Sequence, residues 1–410
     1  MAAAPETRGA GPLDGVRVLD LSRVLAGPHC AKALADLGAE VIKLEPPEGD
    51  VVRFDFPRVS GTSGYYAQQN TGKRNISLDL DKPEAVELVR RLADRSDVVL
   101  ENFRPGVAGR LGLGYADLSA RNERLVYGSI SGYGQSGPWR DRRAYASVIQ
   151  AEMGLTKLQG DERGGSYTND PFSYADLFAS KELTAGILAA LFRRERTGRG
   201  QWVEVSMAEA LLYMNEHVHW ELSDADGSED IPSFRPADFP VLPLANGRQV
   251  VVSGHPCAKG NFASWCRLIG RPELLDDPRF ATIGSRRRHL PAILEALRAW
   301  SATVADEDAF ERIVSTEKFA CGTLRDVREV ADTDWAEDRA AIVEVSDRKG
   351  GSFRIPNAPW RFSADEVGVR GLPAYRGEDN RAVLGGLLGL DDATLDQLEA
   401  DGVLSSRIPR

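Results

Sequence analysis

The sequence predicts an α/β protein, with a large domain on a parallel sheet and a smaller α+β domain. Three observations carry this. From Gly15 to Met207, strand-length apolar runs alternate with amphipathic stretches, the order of a sheet covered by helices on both faces. A polar, acidic tract at 223–230 breaks the alternation. Beyond it, an Asn246-Gly247 hairpin signal is followed by helical segments. A chain of 410 residues is long enough for two or three domains with their own cores.

The first strand is read at Gly15–Leu21. A loop at Gly27-Pro28 leads into a helix whose apolar stripe is Ala31, Leu34, Ala35 and Leu37. Ala39–Glu45 is the second strand, which closes a strand–helix–strand unit. Asn75–Leu80 is the third. The next helix opens with Asp81 and Glu84 at capping-box spacing around Pro83. "VVLENF" and "LVYGSISGYG" supply two more strands. A helix is expected after Asp176, over "ASKELTAGILAALFRRERTG", ending in a basic turn and a glycine. "QWVEVSM" is the next strand. After the hairpin, helical patterns cover "FASWCRLIG", "LPAILEALRAWSA" and "DAFERIVST", and two helices close the chain. The expected boundaries are 10–222 and 351–410 for the large domain and 231–321 for the small one. Linkers are expected at 223–230 and 322–350, the second with a helix-like part after Gly322.

The formal net charge is −10, which argues against a general nucleic-acid or anionic-membrane binder. No uncharged stretch reaches the roughly 20 residues of a membrane span. The four scattered cysteines form no Cys-x-x-Cys pair, so neither zinc nor a redox couple is indicated, and a reducing cytoplasm is the expected location. The Pro/Gly-rich start reads as a short tail rather than a signal peptide.

Few motifs carry chemistry by themselves. The first strand–helix–strand unit lacks Gly-x-Gly-x-x-Gly, although Glu45 ends the second strand as a ribose-binding acid would. "NTGKRN" offers adjacent cations, Lys73 and Arg74, that suit phosphate or a solvated turn equally. "ENFRPG" places Phe103 and Arg104 just past a strand end, where open α/β sheets bind ligands. His217 and His219, the His255-Pro256-Cys257 stretch and His29-Cys30 complete no ligand set or dyad. Asp176 fits two roles: a helix-terminal carboxylate stabilised by the macrodipole, or an ionised nucleophile toward an activated acyl group.

The ordered motifs "LDGVRVLDLSRVLAGPHCAKALADLGAEVIKLEPPEGD", "NTGKRNISLDL", "ENFRPGVAGRLGLGY", "GSISGYGQSGP", "LAALFRRERTGRGQWVEVSM", "LIGRPELLDDPRF" and "RGEDN" span nearly the whole chain. Through them the sequence resembles the family III CoA-transferases, the group of formyl-CoA and L-carnitine CoA-transferases. The resemblance implies a Rossmann-like large domain and an intertwined homodimer. It makes Asp176 the nucleophile and implies transfer of coenzyme A from an acyl-CoA to a carboxylic acid. No metal and no tightly bound cofactor are implied. It places Val24, Leu25, Ala26, Lys73, Arg74, Asn102, Phe103 and Arg110 along the CoA slot and Tyr145 in the acyl pocket.

Three departures from the formyl-CoA transferases point to other acids. Leu25 stands where those enzymes carry glutamine, Pro46 where they carry arginine, and their glycine-rich loop has no counterpart in 231–250. The related α-methylacyl-CoA racemases use a Gly-His-Asp segment, against Ala144-Tyr145-Ala146 here. Tyrosine, with a pKa of about 10, is a poor base at neutrality. Racemase is therefore the alternative reading, with a non-catalytic acyl-CoA-binding protein as a third.

Overall fold

The computed structural model describes residues 11–59, 61–223 and 234–408. The expected linker at 223–230 lies, apart from Ser223, outside the described residues, as do residues 231–233. The chain divides into two compact units, one of residues 1–218 with 334–410 and one of 219–333.

The larger unit holds a six-stranded, wholly parallel sheet. Its strands are β1 (Arg17–Asp20), β2 (Glu40–Glu45), β3 (Arg74–Ser77), β4 (Val98–Glu101), β5 (Val126–Ser131) and β6 (Trp202–Ser206). They lie in the order β3-β2-β1-β4-β5-β6. This is the doubly wound order, whose direction reverses between β1 and β4. A crevice opens there, beyond the carboxyl ends of the two strands.

Two cores, one on each face, explain why the central strands are apolar on both sides. On one face, Leu34, Val41, Val98, Leu183 and Ile187 pack together, and on the other Leu19, Ile42, Val89, Leu92 and Val99. The first face is covered by α1 (Ala26–Asp36) and the second by α3 (Pro83–Ala93). The short α2 (Gly64–Asn70) lies between them in sequence. The chain returns at its end to the second face, where Val383, Leu384 and Leu395 join the core. Asp379 and Asn380 accept hydrogen bonds from the amides of Asn75 and Ser77 at 2.7 and 2.9 Å. The β3 edge is thereby closed to further pairing.

The longest helix, α4 (Tyr174–Thr197), lies against the sheet through Ala175, Ala179, Leu183, Ile187 and Ala190. These recur at three- and four-residue spacing. It ends at Gly198 in the left-handed conformation, as expected. Its start was expected later, after Asp176; the helix takes in Tyr174 and Ala175, so Asp176 belongs to its first turn.

Other expectations are corrected in detail. Gly27-Pro28 is the first turn of α1 rather than a loop, which proline tolerates because no donor is lost there. Asp81 does not cap α3, because Pro83 sets the first helical position and leaves Lys82 as the cap residue. The stretch 322–350, expected as a linker with a helix-like part, carries two short helices and also the strand Ile342–Ser346, paired with Ser352–Pro356.

The smaller unit has a three-stranded antiparallel sheet, in which Val241–Pro243 and Gln249–Val252 flank the Asn246-Gly247 turn. Gly247 has φ of 83°. Trp265, Phe262, Leu297 and Phe310 form its core. Among the described residues, no helix is long and apolar enough to cross a membrane.

Candidate active site

The loop from β1 to α1 is held in an unusual shape. Val24 has φ of 67°, a region that a β-branched side chain enters only under strain. Two clamps hold it there. Asn102, just past β4, accepts from the Arg23 amide at 2.9 Å and donates to the Arg23 carbonyl at 2.8 Å. The Asp50 carboxylate accepts from the Val24 amide, 3.2 Å from Oδ2.

Asp50 belongs to a buried chain of alternating charges. Lys43 Nζ lies 3.1 Å from Asp50 Oδ2 and donates to the Ser22 carbonyl at 2.9 Å. Lys73 Nζ lies 3.0 Å from Asp20 Oδ2 and also donates to the Pro28 carbonyl and to Asn70 Oδ1. All four side chains are buried. Burial alone would push the Asp20 carboxyl up, but Lys73 and Lys43 outweigh it and hold it below the usual range. Burial draws Lys73 down to about 8, against the pull of Asp20. Each charge is tolerated inside the protein only because its opposite lies beside it.

Asp176 faces this loop from the third residue of α4. Its side chain is half-buried, and that burial raises the carboxyl to about 6, while the Ala26 amide and its own amide hold it down. Ala26 is the first residue of α1. The carboxylate thus sits where the amino ends of two helices converge, each offering backbone N–H groups and the positive end of a dipole.

A cavity of about 230 Å³ opens at Asp176. Val24, Ala26, Asn102, Phe103, Tyr145 and Met207 form much of its wall, and Arg23, Arg104, Arg142 and Arg143 are also around it. Arg142 is bound to Glu152 and lies over the rings of Tyr133 and Trp139. Arg104 and Arg143 have no ionic partner among the described residues. Gly132 lets the end of β5 pass the cavity wall, since a Cβ there would meet the Ala144 Cβ at 2.2 Å. A smaller cavity of about 130 Å³ shares Arg23 and Phe103 with the first and is further lined by Pro46, Pro47, Asp79 and Leu80.

The structure therefore brings Asp176, Val24, Ala26, Asn102, Phe103 and Tyr145 together. Leu25 is buried as the cap residue of α1. Three expected cations are elsewhere. Lys73 is turned inward onto Asp20. Arg74 pairs with Glu40 at 2.8 Å. Arg110, exposed at the end of the Val107–Arg110 helix, does not line the Asp176 cavity. Sequence reasoning missed Arg23, Arg142, Arg143 and Asp50. The basic run "RDRR" at 140–143 was the available signal for two of them.

Other reactive-looking groups have structural partners. His29 Nδ1 lies 2.9 Å from Gln69 Oε1, and burial draws the ring down to about 4. Burial pushes the Cys30 thiol up to about 12, and its sulfur accepts from Thr184. His255 stacks on Phe234. Glu45, the suspected ribose ligand, is buried and binds Arg53, Tyr66 and Asn75. Among the described residues, no cluster of His, Cys, Asp or Glu could hold a metal ion.

Known proteins resemble this chain over almost their full length. The sequence pattern of CoA-transferase family III matches residues 13–380. The succinyl-CoA–D-citramalate CoA-transferase of Chloroflexus aurantiacus is 33% identical over 401 residues, covering 96% of this chain and 98% of that protein. The formyl-CoA:oxalate CoA-transferase of Streptomyces coelicolor is 33% identical over 422 residues, covering 96% and 100%. The crystal structure of Rv3272 from Mycobacterium tuberculosis, orthorhombic form, superposes with a TM-score of 0.77 at 31% identity, covering 91% of this chain and 99% of that one. With the matched pattern, the identity and the shared fold all running nearly end to end, the chain belongs to CoA-transferase family III, a family of enzymes that transfer coenzyme A.

Proposed function

We propose that this enzyme moves coenzyme A from an acyl-CoA to an acceptor carboxylic acid through covalent intermediates on Asp176. The observation that carries the proposal is the position of that carboxylate. It is half-buried in the wall of a cavity at the sheet's reversal point, between two helix amino ends. A carboxyl raised to about 6 is mostly ionised at neutral pH and less solvated than a surface carboxylate, both of which favour attack.

The steps balance without an external reagent. An Asp176 oxygen attacks the thioester carbonyl, a C–O bond forms, the C–S bond breaks, and CoA leaves as its thiolate. The thiolate attacks the aspartyl carbonyl of the resulting anhydride and releases the donor acid. The acceptor carboxylate then attacks the aspartyl–CoA thioester and displaces the thiolate. Attack of that thiolate on the acceptor's own carbonyl gives the new acyl-CoA and frees Asp176. The Ala26 amide is placed to donate to oxygen charge developing at the aspartyl carbonyl.

The two cavities that share Arg23 and Phe103 give the pantetheine arm a route away from Asp176, past Phe103. In this reading Arg23 and Arg104 serve the phosphates, with Arg110 further out, Lys73 supports the loop through Pro28, and Arg74 ties β3 to β2 through Glu40. Arg143, unpaired at the rim, suits an acid with a second carboxylate. The relatives named for D-citramalate and oxalate use acids of that kind.

Among the described residues no histidine lines the cavity, which favours transfer over α-proton exchange. We further propose a homodimer in the cytoplasm. The exposed Trp139, Tyr145, Phe172 and Tyr213 support a covered face, and the four unpaired cysteines support a reducing compartment. Incubation with an acyl-CoA and then hydroxylamine tests the mechanism, with a hydroxamate expected on the peptide holding Asp176. Solvent deuterium at the acyl α-carbon with Asp176 unmodified would instead select the racemase.

A further inference from the structure

A second cavity in the larger unit, of about 310 Å³, shares no wall residue with the one at Asp176. Arg53, Arg58, Lys349, Arg376 and Arg407 line it, against a single acid, Glu48. In a chain with a net charge of −10, such a concentration of cations needs a reason.

Two of these arginines are opposed directly. Arg376 and Arg407 face each other across an isolated antiparallel bridge, with Arg407 N donating to the Arg376 carbonyl at 2.9 Å. Like charges in that arrangement repel. The Arg376 guanidinium donates to two neutral hydroxyls, those of Ser77 and Ser405. No carboxylate lies within ion-pair distance of Arg376 or Arg407 among the described residues. Arg53 differs, being held from behind by the Glu45 carboxylate at 2.7 and 2.8 Å and aligned by Tyr66. Burial, with Arg53 and Arg407 as like neighbours, draws Arg376 below the usual guanidinium range, despite Glu45 and Glu48. Thr62 and Ser63 add hydroxyl-bearing walls, and Phe54, Tyr66 and Tyr375 add rings.

We propose that this cavity is a second binding site, for a small multivalent oxyanion carrying phosphate groups or clustered carboxylates. Arginine forks bind both groups through paired, charge-assisted hydrogen bonds. An anion lying between Arg376 and Arg407 turns their repulsion into a shared attraction. The volume exceeds what one phosphate fills, which selects a ligand with two or more charged groups. The site shares no wall residue with the Asp176 cavity and meets the smaller cavity only at Glu48.

Calorimetric titration and thermal unfolding of the full protein test this, with pyrophosphate and citrate as probes. Ionic strength is held constant, and comparison with the Arg407→Gln protein separates binding here from binding along the Asp176 cavity. Saturable binding with a raised unfolding temperature is the expected result. Pyrophosphate alone would assign phosphate, citrate alone carboxylate, and both a shape-tolerant site. Arg407→Gln should weaken binding about tenfold or more. Its side chain is exposed and its bridge is made by backbone atoms, so folding is preserved. Arg376→Gln should do the same. No saturable response from either probe, or an undiminished response in the Arg407→Gln protein, would overturn the proposal.

Discussion

Replacing Asp176 by asparagine should abolish turnover and yet make the protein more stable. The carboxyl is held at about 6 rather than 3.8, chiefly by burial. The folded state therefore binds this proton more tightly than the unfolded state does. Below about pH 4 both states are protonated and nothing is lost. As pH rises through about 4 to 6, the unfolded chain ionises first and stability falls. Above that range the full cost stands, up to about 3 kcal/mol. Partial exposure of the side chain screens it, and about 1–2 kcal/mol is the more realistic figure. Asparagine keeps an oxygen for the Ala26 amide and carries no charge. The Asp176→Asn protein should thus match wild type near pH 4 and exceed it by a few degrees in Tm near pH 8. Urea or thermal unfolding of both proteins across that range is the assay. A variant that is less stable at high pH, or an offset that does not change with pH, would refute the reasoning.

The rate of CoA transfer should rise with pH through an ionisation near 6, the value set by burial of Asp176; a flat profile across that range would detach the reaction from this carboxylate. Asp50→Asn should cost about 3–5 kcal/mol, because it leaves Lys43 charged and buried with one partner fewer; chemical denaturation measures this. Asn102→Ala removes both bonds to Arg23 and should cost about 1–3 kcal/mol, with a larger loss in kcat/KM than in fold content by circular dichroism. Gly132→Ala should destabilise by about 1–3 kcal/mol through its collision with Ala144, read as a lowered Tm.

The parallel sheet was legible because its central strands are short, mainly apolar runs and its crossovers carry a clear helical period. The start of α4 was not, because Ser173 makes no side-chain cap and the first turn opens with an aromatic residue. Asp176 was visible as a carboxylate near a helix, but its proposed role entered through family resemblance rather than pattern. Lys73 shows why the site was only partly readable. A Gly-Lys-Arg turn looks solvent-facing, and its burial depends on Asp20, 53 residues away. Asp50 and the arginines at 142–143 act through folding of distant loops, which leaves no local spacing to detect. Where pairing was short-range, as at Asn246-Gly247, the reading and the structure coincide.

The alternating charges at Asp20, Lys73, Lys43 and Asp50 come from three separate stretches of chain: the end of β1, the β2 strand with the loop after it, and the turn before β3. Neutral drift at any one of them strands its counterpart, so these positions can change only in concert. A chimera joined between residues 51 and 72 would inherit Lys73 from one parent and Asp20 from the other. Such hybrids should fold only when both parents carry the same pattern of signs, which makes this quartet a compatibility marker for recombining relatives.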